Sequence, residues 1–362
     1  MKRDHYIDYL RAAATFAVII WHSVSPVYYL FGPPAEWLPA NILFGPAIRW
    51  SVVSFIMISG ALLLDKDEPP AVFYKKRLLR ICIPLLTWTV IYGLMRLYYF
   101  KTYTYTNQPK PSTFLFIASQ FRDLFFNNLS YHLYFISLIL GLYAITPFLG
   151  RMVRALTQKE MLIFMVLGVG LCSLRGFFPS LIVADRFGLS AYTVYFLLGY
   201  YLHKYPPAKK QRLLIYIAGA AAAILMTWMN YNTEYLHKGH RDTYYSSEGM
   251  FTYAITIALF VFFRQHINGA GNRLPGKLAK FISSNSYGIY IAHPLVIGVL
   301  LYGSFKHFTF STALSTTVLF GYKVSIIMNN AWGAVVQAMI VTIALMAFFY
   351  LIGKLRLQRY FT

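Results

Sequence analysis

Charge is scarce in this chain. Only 12% of its 362 residues are charged, roughly half of the about one quarter usual in a soluble domain. A chain so poor in charge cannot cover one aqueous surface, so most of it is expected in lipid. Acidic residues are scarcer still. Asp and Glu together number 12 and fall mostly between the apolar runs, which argues against a carboxylate-based proton pump. The two cysteines, Cys82 and Cys172, fall near opposite membrane faces in the topology below, too far apart to pair. No HExxH spacing, nucleophile elbow or Walker loop is present, and no metal site is expected. Internal repeats, Gly/Ser linkers and low-complexity tracts are absent as well, so residues 1–362 read as a single domain. The first apolar run carries Asp8, Arg11 and His22, and no small-residue cleavage site follows it. It is therefore expected to stay as a membrane helix rather than be removed as a signal peptide.

What the chain has in abundance is apolar surface: 58% of residues are hydrophobic and 18% aromatic. A spanning helix needs roughly 20 mostly apolar residues. Such segments lie near 6–30, 47–64, 80–100, 132–150, 160–176, 190–203, 211–230, 250–265, 281–303 and 332–353. The expected fold is all-α, a polytopic transmembrane bundle of about ten helices in the lipid bilayer. Segment 113–130 reads as an interfacial or re-entrant piece, and 304–331 as a weaker apolar segment. The formal charge of +21 would suit a nucleic-acid partner, but the basic residues sit between apolar runs, so topology accounts for them and no nucleic acid is expected. With the N-terminus in the cytoplasm, the clusters Lys75-Lys76-Arg77, Lys209-Lys210 and Arg273 to Lys280 fall inside. Inner positions then hold about twice as many Lys and Arg as all others. Both termini are accordingly placed in the cytoplasm.

Ionisable groups within a spanning helix are costly and mark candidate sites. In the first helix Asp8, Arg11 and His22 share one face, because the 11-residue step from Arg11 to His22 returns within about 20° at 100° per residue. The two are separated by about 16 Å along the axis, and Asp8 lies about 21 Å below the histidine. The same pattern also fits charges in interfacial water and a histidine that merely bonds a neighbouring helix. A histidine at that depth suits proton transfer, since its ordinary pKa is near neutrality. The second helix ends in Phe55-Ile56-Met57-Ile58-Ser59-Gly60; Ser59 and Gly60 would admit either a thin ligand or a closely packed helix. Arg77 and Arg80, three apart, suit phosphate at a cytoplasmic mouth, or simply belong to a positive-inside cluster. Late in the chain, Tyr287, Tyr290 and His293 are spaced by three and precede Pro294, forming a slanted polar row at a kink. His132-Leu133-Tyr134-Phe135 reads as an interfacial aromatic belt, with His132 a weak candidate.

Taken in order, these residues resemble the bacterial acyltransferase-3 membrane family. Asp8-Tyr9-Leu10-Arg11 followed by His22 resembles its first-helix signature, and Phe55 to Gly60 its F-x-x-x-S-G pattern. Arg77-x-x-Arg80 resembles its R-x-x-R, and Ser286 to His293 its S-Y-G-I-Y-x-x-H segment. His132 to Phe135 looks like the H-L-W-F motif of the branch holding the enterobacterial common antigen O-acetyltransferase, with Tyr134 in place of tryptophan. The resemblance implies a standalone, multi-pass enzyme of the bacterial inner (cytoplasmic) membrane. It further implies a cytoplasmic acyl-CoA donor, commonly acetyl-CoA, and an extracytoplasmic hydroxyl or amine acceptor, commonly on a glycan. His22 would be the essential histidine, and Arg11, Arg77 and Arg80 would serve the donor.

The mechanism expected from this reading has the CoA phosphates on Arg77 and Arg80, with Arg11 as a further cation. The pantetheine arm passes Ser59 and Gly60, and His22 acts as general base on the acceptor hydroxyl. Asp8 orients Arg11, and Tyr290 or His293 donates to the developing oxyanion. A transporter or flippase for an amphipathic or glycan substrate is the rival from another class, against which stands the absence of a visible repeat.

Overall fold

The apolar runs separated by basic and Gly- or Pro-containing segments fold as helices. The computed structural model describes residues 4–31, 45–103, 112, 114, 118, 131–177, 190–232, 246, 249–267, 273–302, 318–319, 322–323 and 331–362. In chain order the long helices are α1 (His5–Phe31), α2 (Trp50–Leu63), α3 (Pro70–Tyr103), α4 (Tyr134–Ala155) and α5 (Gln158–Phe177). They continue with α6 (Ala191–Lys204), α7 (Lys209–Tyr231), α8 (Met250–His266), α9 (Leu274–Tyr302) and α10 (Ala331–Lys354), and the chain closes with the short α11 (Gln358–Phe361). A 3-10 turn, Tyr131–Leu133, leads into α4. Apart from an antiparallel pair of two-residue strands, Val318–Leu319 and Tyr322–Lys323, the described residues contain no sheet.

Each expected membrane segment corresponds to one of α1 to α10, and the fold is all-helical as anticipated. Among the described residues, four helices are long and apolar enough to cross a bilayer: Pro70–Met95, Tyr134–Ala155, Lys209–Tyr231 and Gly333–Lys354. Two boundaries differ from the sequence reading. α3 starts at Pro70 rather than near 80, because proline fits the first helical position, where its missing N–H would be unpaired anyway. α9 starts at Leu274 rather than near 281, since the basic stretch containing Lys277 and Lys280 adds its own helical turns. Most of segments 113–130 and 304–331 lies outside the described residues.

The described residues group into two compact units, one of Met1–Pro69 with Ile145–Ser284 and one of Pro70–Ala144 with Asn285–Thr362. The first is built around α2 and α6. Gly60 and Gly199 let these helices touch through their main chains: a Cβ at Gly60 would fall on the Phe196 carbonyl, and one at Gly199 on the Met57 carbonyl. Small residues at a crossing permit such an approach and gain close-packed contact in return. Val53, Ile56, Met57, Val194, Phe196 and Leu197 are fully buried beside it. α1 and α5 lie on this pair, and α8 joins them while packing on α7. Arg154 secures the end of α2 by donating to the carbonyls of Leu64 (3.2 Å) and Lys66 (3.1 Å) and to Asp67 (3.0 Å). A helix end leaves carbonyls without intrahelical donors, and a guanidinium answers several at once.

The second unit holds α3, the first part of α4, most of α9, α10 and α11. α3 runs through Pro84 and α9 through Pro294. After α10 the chain reverses at Arg356, whose φ of 58° is in the left-handed region, and delivers α11 onto α3. Trp88 of α3 donates through Nε1 to the Phe361 carbonyl at 3.3 Å and meets the Phe361 ring edge-on at 5.8 Å. Gly288 of α9 faces the same place: a side chain there would collide with Phe349 and the Phe361 carbonyl. Thus one glycine of the S-Y-G-I-Y segment is required by packing against the chain's last helix.

Candidate active site

α1 is unbroken from His5 to Phe31, so helical spacing from Asp8 through Arg11 to His22 holds throughout. Asp8 is buried in the first unit at 5% exposure, while Arg11 and His22 are half-buried. Arg11 reaches the buried Ser283 hydroxyl of α9 at 3.5 Å. Asp8 and Arg11, three residues apart, are neighbours on the helix surface. Thr15 continues the face, its hydroxyl donating back to the Arg11 carbonyl at 2.8 Å. Beyond it come Val18 and Ile19, both buried, so the face is polar at its lower end, apolar in the middle and polar again at His22. The apolar interval falls where α1 packs on its neighbouring helices. Beside His22, the Arg49 guanidinium sits over the Trp21 ring at 3.8 Å, a contact that places a cation on an indole face.

On α2, the Ser59 hydroxyl donates to the Phe55 carbonyl at 2.9 Å. At Gly60 the flank that a thin ligand would need is taken up by the α6 main chain. Helix packing therefore explains this glycine, and a passage for a pantetheine arm along it is not supported.

In the second unit, Arg77 and Arg80 fall on α3 itself, well past its first turn. Arg77 is half-buried with its guanidinium 5.7 Å above the Phe73 ring, and Arg80 is exposed. Their side chains rise from adjacent turns, as i and i+3 positions do.

The late polar row joins a buried cluster in the same unit. His132 and His293 are fully buried with ring centroids 5.5 Å apart. Tyr290 lies against both, at 5.6 Å from His132 and 5.8 Å from His293. Its hydroxyl donates to the His132 carbonyl, the Tyr92 hydroxyl donates to the Ile291 carbonyl at 2.7 Å, and the Tyr287 hydroxyl to the Ile81 carbonyl at 3.0 Å. Three tyrosines thus bond main-chain carbonyls, which in an apolar medium need donors. Ring nitrogen Nδ1 of His293 lies 3.3 Å from the Ile289 carbonyl. Tyr290 and His293 are therefore brought together with His132, which the sequence offered as a weak candidate within an aromatic belt. The signal for His132 was its place beside an aromatic pair at a helix start, which is too common to single it out.

No group of three or more metal-ligating side chains occurs among the described residues. The acyltransferase-3 model, described as an acyltransferase domain, matches residues 4–353. The chain belongs to the acyltransferase-3 family. The match runs from the start of α1 to the last turn of α10, so all the candidate residues above lie within one family domain. A search of curated proteins and a search of solved structures each find no match. Membership in a membrane acyltransferase family and several long apolar helices make this a multi-pass membrane acyltransferase.

Proposed function

We propose that this acyltransferase moves an acetyl group from cytoplasmic acetyl-CoA to a hydroxyl of an extracytoplasmic acceptor, a cell-surface glycan or its precursor. The carrying observation is the family match over residues 4–353, joined to an unbroken α1 that holds Asp8, Arg11 and His22 on one face. In this reading the protein is a single domain in a bacterial inner membrane, about ten helices cross that membrane, and both termini are cytoplasmic. The transporter reading gains no support from the fold or from the family.

The reaction is a direct transfer. His22 takes the proton of the acceptor hydroxyl, the oxygen attacks the thioester carbonyl, and the C–S bond breaks to release CoA thiolate, which is then protonated. Arg77 and Arg80 hold the nucleotide phosphates by charge-assisted hydrogen bonds, and Arg11, set by Asp8, supplies a further cation. Ser59 stays near the donor path; Gly60 does not, its free side being filled. Tyr290 and His293 are the candidate oxyanion donors, at the cost to Tyr290 of its bond to the His132 carbonyl.

The test is transfer of radiolabel from acetyl-CoA in reconstituted proteoliposomes supplied with an envelope glycan fraction. Label leaving CoA for glycan is expected; label that stays on CoA would favour a carrier. Saturation curves test the donor residues. The double variant Arg77→Ala/Arg80→Ala should raise KM for acetyl-CoA at least tenfold, from the loss of hydrogen bonds to charged groups worth about 1.5–3 kcal/mol each. An unchanged KM would remove both arginines from the donor site.

A further inference from the structure

The start of α1 is held in a polar clasp that the transfer chemistry does not use. Tyr6, almost fully buried, brings its hydroxyl to 2.6 Å from Nδ1 of His203 on α6. The other ring nitrogen, Nε2, lies 3.9 Å from the carboxylate of Asp4. One imidazole therefore touches two residues at the entry of α1, one just before the helix and one in its first turn. Arg264 of α8 donates to the main-chain carbonyl of His203 at 2.8 Å, and Phe260 of α8 meets the Tyr6 ring edge-on at 5.9 Å.

The imidazole itself is fixed to a stiff support. Lys204, the next residue, donates to the Tyr200 hydroxyl at 2.7 Å and to Asp65, beyond α2, at 3.4 Å. Tyr200 also donates to Asp65 at 3.3 Å. Above this, α6 and α2 meet main chain to main chain at Gly60 and Gly199. His203 thus stands on the closely crossed pair of α2 and α6, and grips the helix that carries Arg11 and His22.

We propose that His203 is a positioning residue, clasped to Tyr6 and Asp4, that sets the rotation of α1 and with it the placement of His22. The inference rests on the transfer mechanism proposed above. A helix turned by about 15° moves a side-chain tip at a radius of about 6 Å by about 1.5 Å. A displacement near 1 Å can cost a reaction about 100-fold. Tyr6 and Asp4 lie 16 and 18 residues before His22 on a helix that transmits rotation rigidly, which is why the clasp can act at a distance.

Kinetics of acetyl transfer in proteoliposomes provide the first test. His203→Ala and Tyr6→Phe should each lower kcat at least tenfold, and the double variant should fall no further than His203→Ala, which already removes the bond that Tyr6→Phe deletes. His203→Asn, whose amide can reach the Tyr6 hydroxyl, should recover most of the loss. Unchanged kcat in the single variants, or losses that multiply in the double, would overturn the clasp. A second measurement needs no turnover: maleimide labelling of Ala13→Cys in a background with Cys82→Ala and Cys172→Ala. His203→Ala should change the labelling rate at least threefold and His203→Asn should restore it; an unaltered rate overturns the clasp whatever the kinetics. If the parent protein moves no label from acetyl-CoA while the labelling rates shift as described, the acetyl-transfer reading fails and the clasp stands.

Discussion

Replacing His22 by alanine should abolish acetyl transfer while leaving a folded protein. General-base catalysis contributes about 10²–10⁴-fold, so kcat is expected to fall by about that factor, toward the background of the measurement. The fold should survive because His22 is half-buried rather than part of the packed interior, and because alanine is the best helix former. Its neighbour Ser23, fully buried with its hydroxyl on the Ile19 carbonyl at 2.8 Å, is untouched. His22→Gln is the companion variant: the amide keeps hydrogen-bonding capacity near the ring nitrogen but has no basic lone pair. It should be as inactive as alanine. Substantial turnover in His22→Gln would mean that the imidazole only binds, and the base would have to be sought elsewhere. Equal melting temperatures of the parent and both variants in detergent would confirm that chemistry, not folding, was lost.

The largest expected effect on stability comes from one methyl-sized change where α2 crosses α6. A Cβ at Gly60 would occupy the place of the Phe196 carbonyl, and one at Gly199 that of the Met57 carbonyl. Neither obstacle is a side chain that can rotate away, so the two helices would have to part. Overpacking usually costs about 1–3 kcal/mol, and an obstacle of main chain places Gly60→Val and Gly199→Val at or above the top of that range. The expected result is a loss of monodisperse protein on size-exclusion chromatography for both valine variants, with the alanine variants clearly destabilised. Gly141 of α4 and Gly170 of α5, where nothing lies within 4 Å, provide the contrast. Alanine there should be neutral or stabilising by about 0.5–1 kcal/mol through helix propensity. If Gly60→Ala melted with the parent protein, the close crossing would be wrong.

The same crossing shows what the sequence left open at one part of the candidate site. Ser59-Gly60 reads equally well as a gap for a thin ligand or as a seat for another helix, because the sequence records the missing side chain and not what fills its space. Only the fold brings Phe196, well over a hundred residues away, to that spot. Gly288 is a similar case: its neighbours Phe349 and Phe361 come from the chain's last two helices. His132 was hard to see for the same reason, since its burial beside His293 and Tyr290 depends on α9 returning to the start of α4. His203 gave no signal at all, being the end of a short apolar helix followed by a lysine.

What the sequence alone determined was local and periodic. Apolar length located the helices α1 to α10, because a backbone in apolar surroundings must satisfy its own hydrogen bonds and does so within each segment. The 3.6-residue repeat placed Asp8, Arg11 and His22 on one face for the same reason: both properties are fixed by neighbours a few residues away. What only the tertiary structure decided was which faces meet. Val18 and Ile19 interrupting the polar face, the α6 main chain closing off Gly60, the tyrosine hydroxyls held by carbonyls and the grip of His203 on Tyr6 all arise between helices distant in the chain, where packing and not periodicity chooses the partner.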